Sequence, residues 1–212
     1  MNFGFLLFPD AEELDFVGPW EIIGLWSRYF NGPQERLMIS QTNNCVQCAK
    51  GLKVTPDANF TNCPSLDYLL IPGGQGTRKE IENRELLAFV QQKAAGCRRV
   101  LSVCTGAFIL QAAGLLDHKR ATTHWKSLEL LRQKPGVIVV EQRFVRDGAI
   151  WTAAGISAGI DLALALIAEE AGEDTAGKVQ LAAEYYPAPR RYGKAHLAPE
   201  TPAYVKEMVQ ER

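Results

Sequence analysis

The chain alternates short apolar runs with stretches of helical period, and this alternation narrows its possible folds more than any other feature. Phe3-Gly4-Phe5-Leu6-Leu7-Phe8 is apolar on both faces, the pattern of a central strand covered by helices on either side. Pro9-Asp10 ends it, and residues 13–28 carry an apolar face of Leu14, Val17, Trp20, Ile22, Ile23 and Trp26 at helical spacing. Gly18-Pro19 falls inside that stretch and predicts a bend or a fresh start at Pro19.

The same alternation continues to residue 170. Strands are expected at 37–40, 68–71, 100–103, 137–140, 143–146 and 149–153, with helices at 80–95, 107–115, 125–133 and 155–170. Cys45–Cys48 and Leu52-Lys53-Val54 suggest a hairpin-like excursion, and Asp147-Gly148 is a hairpin turn signal. Strands that alternate with helices define an α/β fold with a mostly parallel sheet. The 212 residues read as one domain, with a core of about 3–189 and a tail, 190–212, that wraps the surface or a partner subunit.

Composition removes several function classes. With 47% hydrophobic and 22% charged residues the chain is neither disordered nor fibrous. Twenty-three basic residues against twenty-four acidic ones, with no long run of either sign, leave no footprint for nucleic acid or an anionic membrane. No apolar stretch reaches the roughly 18 residues of a membrane span and no secretory signal opens the chain, so a cytoplasmic protein is expected. Five cysteines at irregular spacing fit no secreted disulfide framework and leave at least one thiol free.

Ligands of open α/β sheets gather at the carboxyl ends of the strands, and three features fall there. In Val103-Cys104-Thr105-Gly106-Ala107 a strand passes directly into a helix with a cysteine at the joint. Such an elbow exposes its corner side chain, and the helix N-terminus beside it is expected to depress the thiol pKa and make Cys104 a nucleophile at neutral pH. Thr105 either caps the helix or places its hydroxyl beside the sulfur. Pro72-Gly73-Gly74-Gln75-Gly76 ends a neighbouring strand in a glycine turn whose amides can form an anion-holding nest, without the spacing of a nucleotide loop. Asp15, between Leu14 and Phe16, is either a helix cap or a desolvated carboxyl with a raised pKa, suited to moving protons.

Weaker candidates are the Cys45/Cys48 pair, which lacks the context of a redox or zinc site, and His124, a base only if it approaches Cys104. The three histidines are too dispersed for a zinc site, so no metal is expected. Trp20, Phe108, Trp125 and Trp151 are the candidate pocket walls.

The acidic residue in Leu14-Asp15-Phe16-Val17-Gly18-Pro19, the Ile71-Pro72-Gly73-Gly74 turn and Ser102-Val103-Cys104-Thr105-Gly106-Ala107 together resemble the ThiJ/PfpI superfamily. Ala121-Thr122-Thr123-His124-Trp125 and Ala154-Gly155-Ile156-Ser157-Ala158-Gly159-Ile160-Asp161 sharpen the resemblance to its isonitrile hydratase branch. The likeness implies a flavodoxin-like three-layer sandwich with a nucleophile elbow. It implies Cys104 as nucleophile, Asp15 as acid/base partner, Thr105 as supporting hydroxyl, and the Gly74 and Thr105 amides as an anion hole. Gly73, Trp20 and His124 are expected to contribute to substrate binding. A homodimer with its site near the interface is implied, the 155–170 helix and Thr123-His124-Trp125 contributing. The implied reaction needs no metal, nucleotide or redox cofactor: water adds to a small uncharged isonitrile through a cysteine thioimidate. A glyoxalase- or amidase-like activity on the same cysteine is the alternative within enzymes. A ligand or redox sensor, as in the N-terminal half of certain transcription regulators, is the alternative outside them. No helix-turn-helix is expected after the domain, which weighs against the regulator alternative.

Overall fold

The computed structural model describes residues 1–187 and 192–210. Its centre is a seven-stranded sheet, whose strands in spatial order cover residues 144–147 (β10), 150–153 (β11), 99–103 (β7), 68–71 (β6), 2–6 (β1), 35–40 (β2) and 58–59 (β5). β1 (Asn2–Leu6) lies between β2 (Glu35–Ser40) and β6 (Tyr68–Ile71), parallel to both. β7 (Arg99–Val103) follows β6, also parallel. β5 (Ala58–Asn59) closes one edge. At the other edge β11 (Ile150–Ala153) is parallel to β7 and forms an antiparallel hairpin with β10 (Phe144–Asp147), turning at Gly148 with φ +61°. The expected mostly parallel sheet is therefore present.

Every residue of β6 and β11 is buried, as is β1 beyond its first residue, because helices cover both faces. On one face α1 (Glu13–Tyr29), α6 (Ala158–Ala171) and α7 (Glu173–Ala182) pack on one another. On the other α4 (Gly106–Ala112) touches α2 (Thr77–Glu80) and α3 (Arg84–Ala94). Phe3 and Phe5, two apart on one strand face, stack with centroids 4.6 Å apart, and Phe5 meets the edge of Trp20 on α1 at 5.2 Å. Burial of such rings contributes about 1.5–3 kcal/mol each. α1 and α6 approach closely through small residues: a Cβ at Gly159 would stand 2.9 Å from Pro19 Cγ.

Several elements differ from the sequence expectation. α1 runs unbroken through Pro19, which forfeits only its bond to the Asp15 carbonyl one turn back. The helix expected at 80–95 is α3, which starts only at Arg84 because the Asn83 side chain accepts the Leu86 N–H at 3.3 Å and caps it, while α2 before it ends at Glu80. The 125–133 helix is a 3₁₀ turn, Trp125–Ser127, followed by α5 (Leu128–Arg132). α6 starts at Ala158, leaving Gly155 in the loop before it. α7, β5 and β8 (Lys119–Ala121), which pairs with β9 (Val137–Val139), have no counterpart in the sequence reading. The excursion between β2 and β5 is the expected hairpin, β3 (Val46–Gln47) with β4 (Lys53–Val54). The core–tail boundary drawn at 189/190 lies outside the described residues. Beyond it α8 (Ala203–Gln210) packs on its own chain, with Tyr204 buried and the Ala203 N–H donating to Glu141 at 2.6 Å. None of the helices is long and apolar enough to cross a membrane among the described residues.

The chain leaves β1 toward β2 on one side and returns to β6 on the other, so the topological switch lies between β1 and β6. The start of α4 is pressed against the exit of β6: a Cβ at Gly106 would lie 2.3 Å from the Ile71 carbonyl oxygen. Both groups are backbone and cannot move aside. Gly106→Ala is expected to destabilise the protein by about 1–3 kcal/mol, as overpacking does. Urea unfolding measures this, and a wild-type midpoint would show that the contact is not tight.

Candidate active site

Three loops meet at the switch point, and the backbone joins them. The Glu12 N–H donates to the Gly73 carbonyl at 2.9 Å and the Gly76 N–H to the Asp10 carbonyl at 3.2 Å. Gly74 has φ +118°, and a Cβ on it would sit 2.3 Å from the Asp10 oxygen, so both conformation and space require glycine. Gly73 lies directly under the elbow: a Cβ there would be 2.5 Å from the Thr105 nitrogen and 2.9 Å from Cys104 Cβ.

Asp15 is fully buried in the first turn of α1. It caps nothing: its Oδ2 accepts the Gly73 N–H at 2.8 Å across the two loops, and Oδ1 is buried without a hydrogen-bond partner among the described residues. Cys104 adopts φ +55°, a left-handed backbone that costs a non-glycine residue about 1–3 kcal/mol. The surroundings fix it there. Its N–H donates to the Ala153 and Ala154 carbonyls at 3.1 and 3.0 Å, and its carbonyl accepts the Thr123 hydroxyl at 2.7 Å. The Thr105 hydroxyl does not cap α4; it accepts the Gly74 N–H at 3.0 Å and stands 3.2 Å from the Thr77 hydroxyl.

The proton affinities follow from this packing. Burial first, and then the Glu12 charge, lift the Asp15 carboxyl to about 8 against the pull of the Gly73 amide. Its raised pKa agrees with the sequence reading. Cys104 does not: burial, followed by the Asp15 charge, pushes its thiol up to about 12, although the Thr105 amide and hydroxyl both hydrogen-bond the sulfur and pull the other way. The donors at the start of α4 do not make up for the water lost around a side chain only 7% exposed, which is why the depressed pKa expected from the elbow is absent. At neutral pH the pair therefore holds both protons, a neutral carboxyl beside a thiol.

A cavity of about 210 Å³ opens on Cys104 and brings together Gly74, Cys104, Thr105 and His124, with Asp15 fully buried behind its wall rather than in its lining. His124 is half-buried, its ring set against Gly155, where a Cβ would be 2.1 Å from Cδ2. Burial and then Lys126 lower its pKa, and its Nδ1 accepts the Lys126 N–H at 3.3 Å, so the ring is neutral at pH 7. The Gly74 amide expected in an anion hole is engaged by Thr105 in this structure, which leaves the Thr105 amide as the donor facing the sulfur.

Trp20 is not part of this cavity. It lies five residues after Asp15 on α1, about 140° around the helix axis, and packs on Phe5 with the Arg36 guanidinium 4.5 Å over its ring. Of the other aromatic candidates, Trp151 is buried between Arg99 and Arg146, and Trp125 lines a separate cavity with His196 and Val205. Phe108 lines a small apolar pocket that shares Arg78, Thr105 and Ser127 with the Cys104 cavity. Glu12, Arg78 and Lys126 also line the Cys104 cavity, and the sequence reading missed them. Cys45 is exposed and Cys48 buried, both free, on the hairpin. Among the described residues no three His, Cys, Asp or Glu side chains are grouped to hold a metal. A larger cavity, about 580 Å³, lies between β10 and α8 and contains none of the expected site residues.

A parallel sheet with a strained cysteine elbow at its switch point and a buried carboxyl alongside defines a flavodoxin-like protein of the elbow-cysteine class. Residues 2–169 match the DJ-1/PfpI family, and the chain belongs to that family. It is 43% identical to isonitrile hydratase of Pseudomonas putida over 190 residues, 89% of this chain and 80% of that one. A ThiJ/PfpI family protein from Pseudomonas syringae superposes with a TM-score of 0.85 at 33% identity, covering 99% of this chain and 85% of the other. Part of the chain, 63%, is 34% identical to 36% of the transcriptional regulator GbdR of Pseudomonas aeruginosa.

Because burial holds the proton on Asp15 in the folded state up to about pH 8 while an unfolded, solvated carboxyl releases it near 3.8, folding stability falls as pH rises through that interval. Asp15→Asn keeps an acceptor for Gly73 and removes the ionisation. Its thermal stability should match wild type near pH 4 and exceed it increasingly toward pH 8, by an amount on the order of several kcal/mol. A difference independent of pH in thermal melts would show that the carboxyl is not held neutral.

Proposed function

We propose that the protein hydrates an isonitrile, R–N≡C, to an N-substituted formamide through a covalent thioimidate on Cys104. The observation that carries the reading is the fully buried Asp15 carboxyl, bound to the Gly73 N–H beside a left-handed elbow cysteine, in a chain 43% identical to an isonitrile hydratase.

The terminal isonitrile carbon accepts both a nucleophile and a proton, which is what this pair supplies. The Cys104 sulfur bonds to that carbon while the Asp15 carboxyl gives its proton to the same carbon and takes the thiol proton on its other oxygen. The product is R–N=CH–S–Cys104, the whole S–H bond having added across one carbon. In the second step water adds to that carbon. Asp15 takes one proton from the water and gives one to the nitrogen, and the C–S bond breaks with return of a proton to sulfur, releasing R–NH–CHO and the thiol. The carboxyl ends each step neutral, so its raised pKa is used twice. The Thr105 amide and hydroxyl hold charge on sulfur as the C–S bond forms and breaks. No metal, nucleotide or redox cofactor enters this scheme.

We also read the protein as a single-domain cytoplasmic homodimer. Leu14 and Val17 on α1, 40% and 39% exposed, and the half-buried Ile160 and Leu164 on α6 support an interface near the site. The similarity to GbdR supports a second reading, a ligand-sensing domain. A left-handed cysteine favours chemistry over sensing, since binding alone gains nothing from that strain.

Cys104→Ala and Asp15→Asn should each lower hydration of cyclohexyl isocyanide, followed by formamide release, by at least about 10²-fold. Mass spectrometry of quenched wild type should find Cys104 heavier by the full mass of the substrate. kcat/KM should decline as pH rises through about 8 and Asp15 loses the proton it must donate. Full turnover by folded Cys104→Ala, or a rate that rises through that pH, would contradict the scheme.

A further inference from the structure

The cavity over Cys104 is electrostatically lopsided in a way that hydration chemistry does not require. Its lining contains two cations, Arg78 and Lys126, and one carboxylate, Glu12. Glu12 is paired: the Lys50 ammonium on the β3–β4 turn binds it, and only 14% of the Glu12 side chain is exposed. Arg78 is held by neutral groups, its Nη1 donating to the Gly74 carbonyl at 3.0 Å and to the Thr77 hydroxyl at 3.4 Å. The Lys126 ammonium lies 5.1 Å over the Trp125 ring. Among the described residues neither cation has a carboxylate partner. Both have exposed side chains at the cavity mouth. The charges felt most at the sulfur are those of Asp15 and Glu12, so neither cation is the thiol's chief electrostatic neighbour.

We propose that Arg78 and Lys126 recognise an anionic group on the remote end of the substrate, so that the enzyme's preferred isonitrile carries a carboxylate. The inference rests on the hydratase reading for the reacting end of the molecule and on this charge distribution for the other. Arg78, Thr105 and Ser127 line both this cavity and an adjoining apolar one of about 60 Å³ walled by Ile81, Phe108 and Leu130. The proposed substrate joins its reacting carbon at Cys104 to the carboxylate through a short aliphatic spacer. A guanidinium fork and an ammonium are the donors that favour a carboxylate over a neutral group. The near-zero net charge of the chain carries no trace of this, because the two cations are balanced by acids elsewhere on the surface.

Two measurements test it. Iodoacetate and iodoacetamide are alike in size and differ in charge, and exposed Cys45 is an internal reference. The iodoacetate-to-iodoacetamide rate ratio at Cys104, read by peptide mass spectrometry, should exceed that at Cys45 by roughly tenfold, as expected for a charge pair at a partly screened site. It should fall toward the Cys45 ratio in Arg78→Gln and below it in Lys126→Glu. Equal ratios at the two cysteines overturn the proposal. The second measurement compares kcat/KM for 3-isocyanopropanoate and for n-butyl isocyanide, and decides the matter if neither alkylating agent reaches Cys104. Preference for the anion, lost in Lys126→Glu and weakened by salt, supports it, and preference for the neutral substrate overturns it. If wild type hydrates neither compound, the hydratase reading fails, while the alkylation ratio still reports whether the cavity selects anions.

Discussion

The hydrogen bond from the Gly73 N–H to Asp15 ties the two strands of the topological switch together, and the rest of the site is built around it. It spans 58 residues of sequence and joins the first turn of α1 to the loop after β6. With that loop pinned, Gly73 lies flat under the elbow, Gly74 reaches the Thr105 hydroxyl, and Cys104 has one backbone conformation left to it. The carboxyl gains little solvation from a single amide. It compensates by keeping its proton, so the bond that organises the loops also produces a neutral acid where a proton donor is wanted.

The proton inventory differs from the thiolate picture that an elbow cysteine suggests. Donors at a helix N-terminus stabilise an anion only to the extent that they replace the water removed, and α4 is a helix of seven residues whose first turn is buried against the loop after β6. The thiol therefore keeps its proton in the resting site, and in the proposed reaction bond formation and proton transfer are linked through Asp15. An isonitrile suits such a pair, because one carbon takes up both the sulfur and the proton.

The sheet and the elbow were legible because they depend on local pattern. A doubly apolar run is a central strand, and a strand that enters a helix without a loop places its last residue at a corner; β1 and Val103-Cys104-Thr105 behave in this way. Asp15 was legible from its apolar neighbours. Trp20 was misplaced because helical period says which residues share a face but not which end of the sheet that face covers. Pro19 was read as a break because the pattern of proline penalties is local, whereas packing of α1 against α6 keeps the helix whole. Glu12, Arg78 and Lys126 were invisible, since only the tertiary fold brings loops from three parts of the chain to one cavity.

Two kinds of strain are concentrated at one point of the molecule, a left-handed cysteine and a carboxyl stripped of water. Both oppose folding, and neither improves the packing around it. They persist because the switch point stands on a sheet whose central strands are buried on both faces, so the surplus from burying Phe3, Phe5, Leu69 and Leu70 is available to hold the site in its unfavourable state. The charged rim obeys a different rule. Arg78 and Lys126 sit at the surface, where they cost the fold little, and in the proposal above they set which molecules approach Cys104. On the proposed reading, reactivity is determined by the deep residues and selectivity by the shallow ones, and substitution at the rim changes the substrate without disturbing the bond between Gly73 and Asp15.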